Sequence, residues 1–122
     1  MLFRSDLIKY LKSLEATKSI FLVTNGQEPE MIQRLADENA LPTQLYLSTN
    51  ASDYDSFLKI NRPKYDDSWE RWNKTLEMLA ELDTRTVLRV TLIKNWNDSD
   101  EMISGFKSIF EKSNAHFIEI KS

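Results

Sequence analysis

Four short apolar runs divide this chain, and each ends in residues able to do polar chemistry: IFLVTNG over Ile20–Gly26, LYLSTN over Leu45–Asn50, VLRVTLIKN over Val87–Asn95 and FIEIKS over Phe117–Ser122. Near-continuous apolar strands are what a parallel sheet buried on both faces requires, and ligands of α/β folds bind beyond the carboxyl ends of such strands. The chain is therefore expected to carry a site at those ends as well as a core.

The stretches between the runs read as helices. Ser5 suits an N-cap for a helix over about Asp6–Ala16, with Leu7, Ile8, Leu11 and Leu14 at helical spacing, leading into a strand over Ser19–Thr24. Asn25-Gly26 is a turn signal, and Pro29 suits the first position of a helix that turns Met31, Ile32 and Leu35 inward. Leu41-Pro42 breaks the chain before a strand over Gln44–Ser48. Ser52, with Asp55 three residues on, resembles a capping box opening a short helix that buries Phe57, Leu58 and Ile60 until Asn61-Arg62-Pro63 stops it.

The longest helix is expected to start at Asp67 or Ser68, with Trp69, Trp72, Leu76 and Leu79 in one apolar stripe. A third strand over Thr84–Leu92 and a loop over Asn95–Asp98 follow. Ser99 then caps a helix whose inner face is Met102, Ile103, Phe106, Ile109 and Phe110, before a last strand over His116–Ile120. Alternation of this kind implies right-handed βαβ crossovers and a parallel sheet. Its two open edges are a liability that complete proteins cover, so the chain reads as an arc of something larger.

Composition narrows the chemistry. At 122 residues the chain is at most one domain, and a formal charge of −3 argues against a free-standing electrostatic nucleic-acid binder. The absence of cysteine excludes disulfides, zinc–thiolate sites and thiol nucleophiles, and the single histidine, His116, limits imidazole catalysis. No apolar run approaches the roughly 20 residues of a membrane span, and Met1–Ser5 lacks the length and cleavage site of a signal peptide. A soluble cytoplasmic protein is expected.

Several residues are candidates for a site, each with a structural alternative. Thr24, Asn25 and Gly26 precede a helix N-terminus, where N–H groups and a glycine let a ligand approach; alternatively Asn25-Gly26 only makes the βα turn. Neither a GxGxxG fingerprint nor a P-loop is present. Ser48, Thr49 and Asn50 offer groups for a ribose or a carboxylate, or else serve turn chemistry. Asn61-Arg62-Pro63 holds a guanidinium in a rigid corner suited to a carboxylate or phosphate, or is a surface arginine at a helix stop.

Arg89 interrupts an apolar strand, so it either faces a ligand inside a barrel or pairs with a carboxylate such as Glu119. Lys94, Asn95 and Trp96 suit an adenine-like ring, or Trp96 packs on the adjoining helix. Trp69 and Trp72 read as core, and His116 as a residue at the start of a strand. No nucleophile–base pair, metal cluster or carboxylate dyad has convincing spacing, so reactive groups must come from elsewhere.

Six colinear motifs cover essentially the whole chain: FLVTNG (Phe21–Gly26), TQLYLSTNA (Thr43–Ala51), INRP (Ile60–Pro63), WERW (Trp69–Trp72), TRTVLRVTLIK (Thr84–Lys94) and FIEIK (Phe117–Lys121). Together they resemble the radical SAM tRNA 4-demethylwyosine synthases. The resemblance implies a parallel-sheet arc of a partial (β/α) barrel. It also implies an enzyme of wybutosine biosynthesis that uses a 4Fe–4S cluster to cleave S-adenosylmethionine reductively and condenses pyruvate carbons with N-methylguanosine in tRNA-Phe. FMN in a separate flavodoxin-like domain is left open.

By the same resemblance, Thr24, Asn25, Gly26, Ser48 and Asn50 contact S-adenosylmethionine, Arg89 and Lys94 line the site, and Asn61 and Arg62 position substrate or cofactor. The family's three-cysteine motif, its Gly-Glu-Pro strand and the lysine that engages pyruvate belong to an earlier segment and are not in this sequence. The resemblance therefore implies a missing N-terminal segment or a complementary chain, and no catalysis by this chain alone. Two alternatives remain: a non-catalytic α/β module that binds a ligand or partner, and a piece of another radical SAM subfamily, against which Asn61-Arg62-Pro63 and Trp69–Trp72 argue.

Overall fold

A computed structural model describes the backbone of residues 2–122 and the side chains from Ser5 onward; Met1 lies outside the described residues. The elements are α1 (Leu2–Ser13), β1 (Phe21–Thr24), α2 (Pro29–Asp37), β2 (Gln44–Ser48), α3 (Tyr54–Asn61), α4 (Ser68–Met78) with a 3-10 turn at Leu79–Glu81, β3 (Arg85–Thr91), α5 (Asp100–Ser113) and β4 (Phe117–Lys121). The strands form one parallel sheet in the order β1-β2-β3-β4. Its register sets Leu47 beside Leu88, Ser48 beside Arg89, and Arg89 beside Glu119.

Sequential order with crossovers of one hand sends every connection over the same face of the sheet. On that face Leu45, Leu47, Leu88 and Val90 pack with Ile32 and Leu35 of α2, Phe57 of α3, Trp72 and Leu76 of α4, and Phe106 and Ile109 of α5. Side chains alternate along a strand, so Tyr46, Val87 and Arg89 point to the other face. Tyr46 and Val87 are buried outside the core cluster, whereas Phe21, Val23 and Phe117 on this helix-free face are exposed. Burial of the sheet by helices on both faces, expected from the apolar runs, is therefore not what this chain does. The arrangement is that of a barrel wall, with helices outside and a mixed polar and aromatic face within.

Local chemistry corrects four expectations. Ser5 does not cap α1 but lies buried within it; the helix ends at Ser13, short of Ala16, and Ile8 reaches the core while Leu7 and, just past the helix, Leu14 are exposed. Ser52 does not cap α3; Asp53 does, its carboxylate accepting from Ser56 N at 2.8 Å. The Ser52 hydroxyl instead donates to Met102 O at 3.0 Å, and it lies against Gly105, where a Cβ would collide with it. The longest helix is α5, with 14 residues, not α4, with 11, because α4 tightens into the 3-10 turn at Leu79. Leu58 and Ile103, expected inside, face outward. Pro29 opens α2 and Ser99 caps α5, accepting from Met102 N at 3.2 Å, as the sequence predicts.

Trp72 is the largest fully buried side chain. It stacks on Trp69 with ring centroids 5.5 Å apart, lies 6.3 Å from Phe57, and donates its Nε1–H to Ser48 O at 3.0 Å. Trp72→Ala is expected to cost about 3–5 kcal/mol in urea unfolding. Trp72→Phe should cost less, since it keeps an aromatic body and forfeits the indole donor and some contact.

Candidate functional site

A cleft of 740 Å³ opens at the carboxyl ends of β1 and β2. Thr24, Asn25, Ser48 and Asn50 line its strand side, and Asn61 and Arg62 at the end of α3 line the opposite wall. Six positions singled out in the sequence thus meet around one opening, although α3 lies between β2 and β3 in the chain.

The β1 exit is a tightly bonded turn. Thr24 Oγ1 accepts from Gly26 N at 3.1 Å, and Asn25 Oδ1 accepts from Gln27 N at 3.1 Å, an Asx turn. Gly26 has φ +78°, and a Cβ there would stand 2.8 Å from Trp72 Cδ1 and 2.9 Å from Leu47 Cδ1. The turn is also bolted to α4: Thr75 Oγ1 donates to Gly26 O at 2.8 Å, Gln27 Nε2 to Ser68 O at 3.1 Å, and Arg71 Nη1 to Gln27 O at 3.0 Å. Gly26 does not line the cleft; its Cβ-less backbone lets α4 approach.

The β2 exit divides its groups between structure and solvent. Trp72 occupies the Ser48 carbonyl, while the Ser48 hydroxyl, on the helix-free face beside Arg89, lines the cleft and has no hydrogen-bond partner among the described residues. Asn50 Oδ1 accepts from Thr91 N at 3.0 Å, and Asn50 O accepts from Nδ2 of the fully buried Asn97 at 2.9 Å. Asn97 also donates to Thr91 O at 2.8 Å and accepts from Ile93 N at 2.7 Å. This amide ties the exits of β2 and β3 together, with Asn50 set at the cleft wall.

Arg62 closes α3 in the left-handed region, with φ +45° and ψ +59°, and its N–H donates to Leu58 O at 3.2 Å. A side chain in that conformation is uncommon, and here Pro63 follows directly, so the chain turns sharply and leaves the guanidinium exposed at the rim. Arg89 and Lys94 are not in the cleft. Arg89 lies on the helix-free face, its guanidinium 4.4 Å over the Tyr46 ring and its Nε 3.3 Å from Glu119 Oε2. Both of its alternatives hold in part, an inward position and a carboxylate partner. Lys94 is exposed, while its neighbours Asn95 and Trp96 line a separate groove of 480 Å³ that shares Arg62 with the cleft.

Tyr65 lines the cleft without having been singled out in the sequence, and it pairs there with Glu28. Tyr65 donates its hydroxyl to Glu28 Oε1 at 2.7 Å, joining the α3–α4 connection to the start of α2. The Glu28 carboxylate holds the Tyr65 phenol above its ordinary pKa. Beside it, Arg71 lies 4.0 Å over the Tyr65 ring and donates to Asp67 at 2.8 Å. That hydrogen bond keeps the Asp67 carboxyl below its usual value and raises Arg71 in turn. The partners are 37 residues apart and follow no periodicity, so no local pattern announces them.

No protein-family model matches the chain. It is 40% identical over 103 residues to the S-adenosyl-L-methionine-dependent tRNA 4-demethylwyosine synthase of Pyrococcus abyssi, covering 84% of this chain and 29% of that protein. Against the Homo sapiens synthase TYW1 it is 40% identical over 117 residues, 95% of this chain and 15% of the relative. A solved structure of TYW1 with a lysine-pyruvate adduct bound matches with a TM-score of 0.81 at 36% identity, over 97% of this chain and 36% of that one. The chain is homologous to part of the tRNA 4-demethylwyosine synthases. It spans less than a third of either synthase's length, and with 97% of it matched in the solved TYW1 chain the sheet arc and its cleft fall within the synthase-like segment.

Gly26→Ala is expected to lower stability by about 1–3 kcal/mol, from left-handed strain and the collision with Trp72, measured by urea unfolding. Asp67 gives a pH signature. Its folded pKa is depressed, so the Arg71 pair contributes in full above the ordinary carboxylate range and is lost as pH falls through the lowered value. Asp67→Asn should flatten the acid limb of the stability profile and leave the neutral-to-alkaline part unchanged in shape.

Proposed function

We propose that this chain is a partial radical SAM domain of a tRNA 4-demethylwyosine synthase and that its cleft forms one wall of the S-adenosylmethionine site. The observation that carries the reading is the meeting of Thr24, Asn25, Ser48, Asn50 and Arg62 at one opening, on a chain about 40% identical to the synthases. S-adenosylmethionine presents a ribose diol, an adenine and a carboxylate. The free Ser48 hydroxyl and the Asn50 amide suit the ribose, and the Arg62 guanidinium suits the carboxylate. When bound, S-adenosylmethionine supplies the family's radical chemistry; the residues here bind and orient it.

An iron–sulfur cluster does not fit this chain's own residues. The sequence has no cysteine, and the described residues contain no group of three His, Cys, Asp or Glu placed to hold a metal. In this reading the 4Fe–4S cluster, the lysine for pyruvate and any FMN belong to other polypeptide, either an upstream segment or a complementary chain. tRNA-Phe and pyruvate are the substrates of the whole assembly. Among the described residues no helix is long and apolar enough to cross a membrane, and a tRNA substrate makes the cytoplasm the proposed location.

A chimera tests the reading. Replacing the matched segment of the Pyrococcus abyssi synthase with this chain should preserve cleavage of S-adenosylmethionine and formation of 4-demethylwyosine. Ser48→Ala in the chimera should raise the KM for S-adenosylmethionine about tenfold without moving the unfolding midpoint, because that hydroxyl has no hydrogen-bond partner among the described residues. A chimera that folds and holds its cluster yet cleaves nothing sinks the proposal and favours a non-catalytic binding module.

A further inference from the structure

The 480 Å³ groove beside the cleft is walled by Ser56, Lys59, Ile60 and Arg62 on one side and by Asn95 and Trp96 on the other. Trp96 is 53% exposed and joins no aromatic pair among the described residues, unlike Trp69 and Trp72. Its backbone is nonetheless fixed. Trp96 N donates to Ile93 O at 3.0 Å, Asn95 N donates to Asp98 Oδ1 at 3.0 Å, and the adjoining Asn97 is fully buried in the amide network that joins β2 to β3. A large ring held out on a stiff loop is a stacking platform whose ordering cost is already met.

The charged residues that line it are both cations, although Asp98 accepts from Asn95 in the same loop and Asp55 stands one turn before Lys59 on α3. Lys59 and Arg62 form no ion pair among the described residues, and no carboxylate lines the groove, on a chain whose net charge is −3. An exposed indole face in a groove lined by cations fits an unstacked base and an adjoining phosphate. A paired duplex hides its base faces and cannot use such a platform.

We propose that this groove takes a single-stranded RNA segment, with one base stacked on Trp96 and the adjoining phosphate on Lys59, which leaves Arg62 to the cleft. This rests on the reading of the chain as part of a tRNA-modifying enzyme and deepens it. Arg62 stands on the ridge between groove and cleft, so a strand held in the groove delivers its next nucleotide toward the strand ends.

Fluorescence anisotropy of the 122-residue chain at low salt, with a labelled stem-loop RNA and a fully paired duplex, tests the proposal. The stem-loop should bind more tightly than the duplex. Trp96→Ala should weaken stem-loop binding about tenfold, with circular dichroism unchanged because the ring is outside the core, and Trp96→Phe should restore most of the loss. Lys59→Gln should reduce the salt dependence by about one phosphate contact.

Equal affinity for stem-loop and duplex, indifference to Trp96→Ala, or no RNA binding overturns it. Trp96 lines the groove and not the cleft, so cleavage of S-adenosylmethionine by the chimera without RNA is expected to be independent of it. Retained cleavage with no RNA binding therefore defeats this inference alone, whereas lost cleavage defeats the proposed function.

Discussion

The packing of α4 against the exits of β1 and β2 governs the shape of the site. One indole does much of this: Trp72 fills the core with its ring, satisfies the Ser48 carbonyl with its N–H, and occupies the space that only a glycine at position 26 leaves free. Thr75, Arg71 and the Ser68 carbonyl extend the contact along the helix and bond the Gly26-Gln27 backbone and the Gln27 amide. Because α4 follows the Arg62 corner in the chain, the same docking brings Asn61, Arg62 and Tyr65 to the opposite wall of the cleft. Core packing and site geometry are thus one interaction seen from two sides.

The architecture was legible because parallel strands and their connecting helices leave local marks. The apolar runs, Asn25-Gly26, Pro29, Ser99 and the tryptophan stripe each act within a few residues of where they stand, and the elements they mark are in place. The candidate site was legible for a related reason: strand ends are identifiable in sequence, and four of the six lining candidates sit there. What was not legible depended on distant partners. Ser52 looks like a cap until Met102 and Gly105 arrive from α5, and Glu28 is an ordinary helix-start carboxylate until Tyr65 reaches it. Gly26 reads in the sequence either as a ligand approach or as a βα turn, and its nearest constraint is the tryptophan behind it, which no local pattern announces.

The helix-free face explains why Arg89 looked anomalous. In a sheet covered by helices on both sides a guanidinium in mid-strand is costly, but on the inner wall of a barrel it can bond across to a neighbouring strand and rest on an aromatic ring. Glu119 and Tyr46 serve those two roles, which leaves Arg89 partly accessible and held in place. Synthase-like identity along the chain is consistent with such a wall forming part of a larger enclosure.

The free edge of β4 has a consequence for how the chain behaves as a material. Phe117, Ile118 and Ile120 are exposed along a strand whose outer backbone groups face no neighbour among the described residues. Such a border can template further strands, and natural sequences usually guard it with charge. Here Glu119 is already drawn inward by Arg89, so Lys121 is left as the edge's principal gatekeeper. Colloidal stability of the separate polypeptide is therefore set less by its core than by its unguarded hems, this one and the opposite border at β1, and by whether other strands are at hand to close them.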